Sequence, residues 1–158
     1  MANYRRNSGI VLDNADRTLV DALDRNARTP MSDLARLVGL SPQSTAERVR
    51  RLEDLGVITG FTLRLDPAAL GLSIGAYIRI RPALGELRRV ADLVAAIPEI
   101  VECARITGED CFIAKVFVSS VEDLERVIDK LAPFARTNTS IIQSSPVAQR
   151  QPHVPATA

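Results

Sequence analysis

The spacing of apolar residues changes once along this 158-residue chain, near residues 66–73, and no single regular architecture satisfies both halves. Before the change, apolar residues recur at intervals of three and four. After it, strictly alternating stretches take turns with helical ones. A chain of this length holds one medium domain or two small ones, and the change of period favours two. The expected division is an N-terminal extension (1–11), a helical domain (12–65), a linker (66–72), a mixed domain (73–147) and a flexible tail (148–158).

In the first part, Leu12, Ala15, Leu19, Ala22 and Leu23 predict one helix. Asp13 and Asp16 form a capping box at its start, with an acid serving for the usual Glu. "NARTPM" breaks the pattern. Leu34, Ala35 and Val38 predict a second, shorter helix that stops at Gly39. Ser41 caps a third, because its hydroxyl can accept from the orphan N–H groups of the first turn. Pro42 takes the first helical position, where its missing N–H costs nothing. This helix runs to about Leu55, and Gly56 supplies the left-handed residue beyond it. "VITGFTLRL" reads as two extended segments bent at Gly60, a small β-wing, and "DPAALGL" as the linker.

From Ser73 the order is β-α-β-β-α-β, that of a ferredoxin-like split βαβ unit. Ile74, Ala76, Ile78 and Ile80 alternate and Pro82 ends the strand. Leu87, Val90, Ala91, Val94 and Ile97 make a helical stripe. Residues 100–107 and 111–118 predict two strands joined by a tight turn over Gly108 to Asp110. Leu124, Val127, Ile128 and Leu131 predict the second helix, and "TSIIQSS" the last strand. In "CFIAKVFV", Phe112, Ala114, Val116 and Val118 point one way and Cys111, Ile113 and Phe117 the other. A solvated sheet with helices on one face needs only one apolar face, so the second is expected to meet another subunit, a generally hydrophobic buried strand being the alternative. The expected class is α+β, a winged helix-turn-helix followed by a ferredoxin-like domain.

The formal net charge is only +1, and residues 1–66 carry ten arginines against nine acids, so total charge does not announce a nucleic-acid partner. The position of the arginines does. Stepping about 100° per residue along Ser41–Leu55 clusters Ala46, Val49 and Leu52 on one side, with Pro42 and Thr45 close by. Gln43, Ser44, Glu47 and Arg51 lie opposite, flanked by Arg48 and Arg50. An isolated helix of this kind is most simply an amphipathic helix with a solvated basic face. As the third helix after a Gly-containing turn, it suits a major groove, where the N-terminal residues of a recognition helix meet the bases. Gln pairs with adenine, Arg with guanine, and flanking arginines suit phosphates. Ser41, Pro42, Gln43, Ser44, Thr45, Glu47, Arg48, Arg50 and Arg51 are the candidate DNA-binding residues, with Arg28, Arg36 and Thr59 as further backbone contacts. Glu47 repels phosphate unless it accepts from cytosine or pairs with Arg51 four residues on.

Leu12-Asp13 with Asp16, Ala27-Arg28, Leu34-Ala35, "GLS", "RVRRLE", "GVITGF" and Asp66-Pro67 together resemble the N-terminal half of the Lrp/AsnC (feast/famine) transcriptional regulators. The second half is similar to that family's effector-binding and oligomerisation domain, so the resemblance spans about residues 10–147. It implies a DNA-binding regulator acting on double-stranded DNA as a homodimer or as an octamer of four dimers. It also implies a small effector, typically an amino acid, held between dimers near the turn after the second strand. That turn is "ITGEDCF". Gly108 fits the family pattern, but Phe112 in the aromatic's place puts Cys111 where Asp is expected, with Asp110 one step early. Thr107, Gly108, Glu109, Asp110 and Cys111 are the candidate effector residues. Amides after Gly108 suit a carboxylate and Glu109 or Asp110 an ammonium. A plain hairpin turn remains the alternative.

Other classes fit less well. Some proteins of this two-part plan resemble sirohaem decarboxylases, which would need histidines lining a pocket; the one histidine, His153, lies in the tail. No enzyme activity, catalytic residue, cofactor or metal site is expected. Cys103 and Cys111 are too few for a disulfide framework and are expected to be buried free thiols. The apolar runs fall short of the roughly 20 residues of a membrane span. "MANYRRNSGI" lacks the apolar stretch of a signal peptide, so a cytoplasmic location is expected.

Overall fold

The computed structural model of the chain describes residues 10–147 and 149–152. Most of the expected N-terminal extension (1–9), and Ala148 and residues 153–158 of the tail with His153, lie outside the described residues. The chain forms two compact units; among the described residues, 10–63 and 149–152 belong to the first and 64–147 to the second.

The first unit contains α1 (Asn14–Arg25), α2 (Met31–Val38) and α3 (Pro42–Asp54). The capping box at α1 forms as the sequence predicts. The Asp16 N–H donates to Asp13 Oδ1 at 2.8 Å, and the Asp13 N–H to Asp16 Oδ2 at 3.4 Å. Gly39 (φ 68°) closes α2, and the Leu40 N–H returns to the Ala35 carbonyl at 3.1 Å. This Schellman closure needs a left-handed residue, which glycine adopts without steric cost. Leu19, Leu23, Leu34, Val49 and Leu52 form the core, with Leu12, Val20, Met31 and Val38 packed around it.

The expected β-wing does not form. Val57 and Ile58 bond back to the Leu52 carbonyl at 2.9 and 3.1 Å and pack on the core. Residues 59–66 then run on exposed with no strand. Alternation makes a strand only where a ladder partner completes its backbone hydrogen bonds, and none of the described residues supplies one. The unit is thus a helix-turn-helix without the expected wing.

The second unit opens with a single 3-10 turn, Ala68–Leu70, where the Ala68 N–H donates to Asp66 Oδ1 at 3.0 Å. There follow β1 (Ile74–Pro82), α4 (Leu87–Ala96), β2 (Ile100–Arg105), β3 (Phe112–Val118), α5 (Val121–Leu131) and β4 (Ala135–Ile141). The sheet order is β2-β3-β1-β4 with every neighbour antiparallel. This is the expected ferredoxin-like arrangement. Ala76, Ile78 and Ile80 of β1 and Phe112, Ala114, Val116 and Val118 of β3 face the two helices. Val90 and Val94 of α4 and Leu124, Val127 and Leu131 of α5 complete the core. The period of two on the strands and of 3.6 on the helices brings these residues to one layer.

Two boundaries, and the burial of the cysteines, differ from expectation. The last strand is Ala135–Ile141, not "TSIIQSS", because pairing with β1 recruits the polar run Arg136, Thr137 and Asn138. The hairpin turn is longer than three residues. The Ile106 N–H donates to the Cys111 carbonyl at 2.9 Å and closes a loop over residues 107–110. Cys103 is exposed on edge strand β2 and Cys111 is half-buried, so neither free thiol is buried as expected.

On the sheet face away from the helices, Ile113 and Phe117 are half-buried. The register places Gly75 opposite Phe117, where a Cβ would come within 2.9 Å of Phe117 Cε1. The face is mixed, however, and not uniformly apolar. Lys115 stands between the two apolar residues, its Nζ 5.2 Å from the Phe117 ring centroid and 5.8 Å from that of Tyr77.

Candidate nucleic-acid interface

Helix α3 is capped by Ser41, whose Oγ accepts from the Ser44 N–H at 3.1 Å and donates to Ser44 Oγ at 2.9 Å. With Pro42 at the first position, this fixes where the helix starts and hence which side chains face outward. Thr45, Val49 and Leu52 are buried. Pro42, Gln43, Ser44, Glu47, Arg50 and Arg51 are exposed. The outer face is thus short and polar in its first turn and cationic further along.

Two candidates behave otherwise than the sequence suggests. Thr45 is 0% exposed, and its hydroxyl donates to the Ser41 carbonyl at 2.9 Å. It anchors the first turn and offers no atom to DNA. Arg48 turns back towards the start of α1. Its Nη1 donates to Asp13 Oδ2 at 2.7 Å and to Asp16 Oδ1 at 2.8 Å. The sequence placed it correctly on the flank of α3. That flank faces the start of α1, whose two acids sit where the helix dipole favours negative charge.

Arg51 is more than half exposed, with Nη1 at 3.5 Å from Asp16 Oδ2. Of the two alternatives for Glu47, the pair with Arg51 does not form, since the arginine turns to Asp16 instead. Glu47 is exposed and makes no ion pair among the described residues, and the same holds for Arg50. Arg36 pairs with Asp33 at 2.8 Å, while Arg28 and Thr59 are exposed.

Asp16 is the residue whose second role sequence reading missed. Its place in the capping box explained it fully, and nothing in the spacing links it to an arginine 32 residues away. The Asp16 N–H first, and then Arg48, hold the Asp13 carboxyl below the usual carboxylate range. Asp13 in turn, with Asp16, raises the Arg48 guanidinium above its ordinary value. A buried carboxylate left without its partners would cost about 3–5 kcal/mol, so this network is a structural requirement as well as a surface feature.

At the other candidate site, Thr107, Gly108 and Glu109 are exposed and Asp110 and Cys111 half-buried. Gly108 has φ 113°. Arg81 of β1 engages Glu109, and its Nε lies 3.7 Å from Asp110 Oδ1. The Cys111 N–H donates to the Ile80 carbonyl at 3.0 Å and is therefore committed within the fold. The carboxylates expected to meet an ammonium thus already hold an internal cation, which the sequence did not indicate.

A short three-helix unit with an exposed polar and cationic third helix, followed by a βαββαβ unit, defines a helix-turn-helix transcriptional regulator with a separate ligand-binding domain. Residues 12–53 match the AsnC-type helix-turn-helix domain, and residues 75–152 the Lrp/AsnC ligand binding domain. The chain belongs to the Lrp/AsnC family of transcriptional regulators. The HTH-type transcriptional regulator LrpC of Bacillus subtilis is 35% identical over 133 residues, covering 84% of this chain and 92% of its own. AldR of Mycolicibacterium smegmatis is 38% identical over 138 residues, 83% of this chain and 81% of its own. The LrpC structure superposes with a TM-score of 0.83 at 33% identity, covering 89% of this chain and all of its own. The feast or famine regulatory protein of Mycobacterium tuberculosis, complexed with L-methionine, gives 0.84 at 31% identity, covering 91% of this chain and all of its own.

Proposed function

We propose that the chain binds double-stranded DNA as a homodimer or larger assembly of dimers, with α3 in the major groove. Residues 12–65 serve as the DNA-binding domain and residues 73–147 as the domain for assembly and effector binding. Gln43, Ser44 and Arg51 face the bases, and Arg50 takes the phosphates, a role in which Arg48 is replaced because Asp13 and Asp16 hold it. The observation that carries this reading is the outer face of α3, where polar side chains stand open near the N-terminus and arginines follow. Ile113 and Phe117 on the sheet's uncovered face support assembly through that face. No helix among the described residues is long and apolar enough to cross a membrane, and a cytoplasmic location accords with a DNA partner. The relatives are named as transcriptional regulators, which supports a role without catalysis.

The effector in this reading is an α-amino acid seated at residues 107–111, its carboxylate on the Glu109 and Asp110 amides. Its ammonium displaces Arg81 from Glu109 or Asp110. The effector acts only through its differential affinity for alternative assemblies. The complex of the Mycobacterium tuberculosis relative with L-methionine supports the ligand class.

The test is DNA binding measured over a range of salt. Arg50→Ala should weaken binding to all sequences alike and reduce the salt slope by about 0.9, one phosphate contact. Arg51→Ala should relax preference at one base position and cost about 1–3 kcal/mol there. Binding indifferent to both changes refutes the groove placement. A thermal-shift screen with the twenty amino acids, repeated on Arg81→Ala, tests the effector reading, which predicts altered affinity in the variant.

A further inference from the structure

Asp16 is 1% exposed, lies on α1 rather than on the recognition helix, and yet faces two of that helix's arginines. Its Oδ1 accepts from Arg48 Nη1 at 2.8 Å, and its Oδ2 lies 3.5 Å from Arg51 Nη1. Arg48 is the tight partner and the less exposed, at 31%, whereas Arg51 is the loose one at 57%. The two arginines are three positions apart, so they project from adjacent turns of α3 towards one carboxylate. We propose that Asp16 is a positioning residue for DNA recognition. It uses Arg48 to fix α3 against α1, and it restrains the Arg51 guanidinium so that the side chain meets the groove in one orientation.

The asymmetry of the two bonds is what gives the arrangement this function. Only Nη1 of Arg51 meets Asp16, so its other guanidinium nitrogens can meet a base while the tether holds, and with Arg48 in place Asp16 keeps a partner throughout. Arg51 loses few rotamers on binding because it is already tethered, which favours geometrically demanding contacts over loose phosphate ones. A free arginine on the same helix would bind any phosphate backbone nearly as well. Asp16 therefore acts on the ratio between specific and non-specific binding. The inference rests on the reading that Arg51 faces the bases.

The experiment uses the full chain, a duplex that the wild type enriches from a randomised pool, and a scrambled duplex of equal length. Affinities for both are measured for wild type, Asp16→Asn, Arg51→Ala and the double variant, with folding checked by circular dichroism melts. Asp16→Asn should lower the ratio of specific to scrambled affinity about tenfold, the size of one good base contact, while affinity for the scrambled duplex holds or rises. In the Arg51→Ala background the same change should leave the ratio unaltered. Equal rises on both duplexes mean only that a repelling charge was removed, and equal losses mean that only the fold suffered; either overturns the proposal. A ratio that falls as much without Arg51 as with it also overturns it. If Arg51→Ala itself leaves the ratio intact, the groove reading fails first, and this failure is separately visible. Should Asp16→Asn not fold, Arg48→Gln tests the same tether: Arg51 is then drawn onto Asp16, and the ratio should fall while the scrambled duplex is bound no more tightly. An unchanged ratio there overturns the positioning role.

Discussion

Leu19, Leu23, Leu34, Val49 and Leu52 are the buried hydrophobic cluster of the three-helix unit, five residues in all, whereas fourteen fill the space between sheet and helices in the second unit. The smaller unit adds a second kind of restraint, the bonds from Asp13 and Asp16 to α3. Among the described residues the core cluster of the larger one is apolar throughout, and strand register and apolar layers set its geometry. On the proposed placement of α3, the difference follows from task. A recognition helix must present one face at a defined angle while keeping most of its surface polar, so apolar packing alone has little area with which to hold it. A charged pair at the helix edge supplies direction where the core supplies only attraction.

The sharpest test compares equal deletions in the two cores. Leu52→Ala and Ile78→Ala each remove a fully buried side chain and should each cost about 2–5 kcal/mol. In the smaller unit that loss is the larger share of the total, so Leu52→Ala should unfold α3 at 37 °C and abolish DNA binding. Urea unfolding that finds Leu52→Ala cheaper than 1 kcal/mol would break the contrast. Next in size is Gly75→Val, which sets a side chain against the Phe117 ring on the central strand. Overpacking of this kind costs about 1–3 kcal/mol, and a neutral result would mean that the ring swings aside freely.

The same contrast explains how much was legible in the sequence. Periodicity reports apolar packing, so the helices and the strand order of the second unit were readable from Ile74 to Leu131. Capping chemistry is local, so Asp13, Gly39, Ser41 and Gly56 were readable too. The wing was not, because "FTLRL" alternates as a strand should and only the lack of a ladder partner excludes it. The bounds of strand β4 are not legible in its own composition, because pairing with β1 selects residues 135–141. At the candidate site, the exposed face of α3 followed from the helical step. The partners of Arg48, Arg51 and Arg81 did not, because pairing across 28 to 35 residues leaves no periodic trace.

Smaller effects separate anchoring from reading. Thr45→Val keeps the shape of a buried side chain and removes one hydroxyl, for about 1 kcal/mol. The cost should fall at the low end, because the Ser41 carbonyl still accepts the Thr45 N–H at 2.9 Å. Base preference should not change. A shift in preferred sequence would return Thr45 to the groove.

The smallest expected effect is the response of the two units to acid. Helix α1 is capped by a carboxylate, Asp13, whereas α5 is capped by the Ser120 hydroxyl, which accepts from the Asp123 N–H at 3.1 Å and does not titrate in this range. The Asp13 pKa is lowered in the folded chain, first by the Asp16 N–H and then by Arg48. A depressed carboxylate stabilises the fold fully above its unfolded value, about 3.9, and that contribution is lost as pH falls through the folded value. Glu122, on α5, is also held low, by its own N–H and by Ser120, but it assists a cap that survives without it. Acidification from pH 6 to pH 3 should therefore loosen α1 before α5, by hydrogen exchange of the two first turns. Asp13→Asn keeps a capping oxygen and removes the titration, so it should abolish the difference. The exposure of Asp13 makes the effect modest and sensitive to salt. Equal acid responses of α1 and α5 in the wild type would mean that the carboxylate network adds nothing beyond a neutral cap.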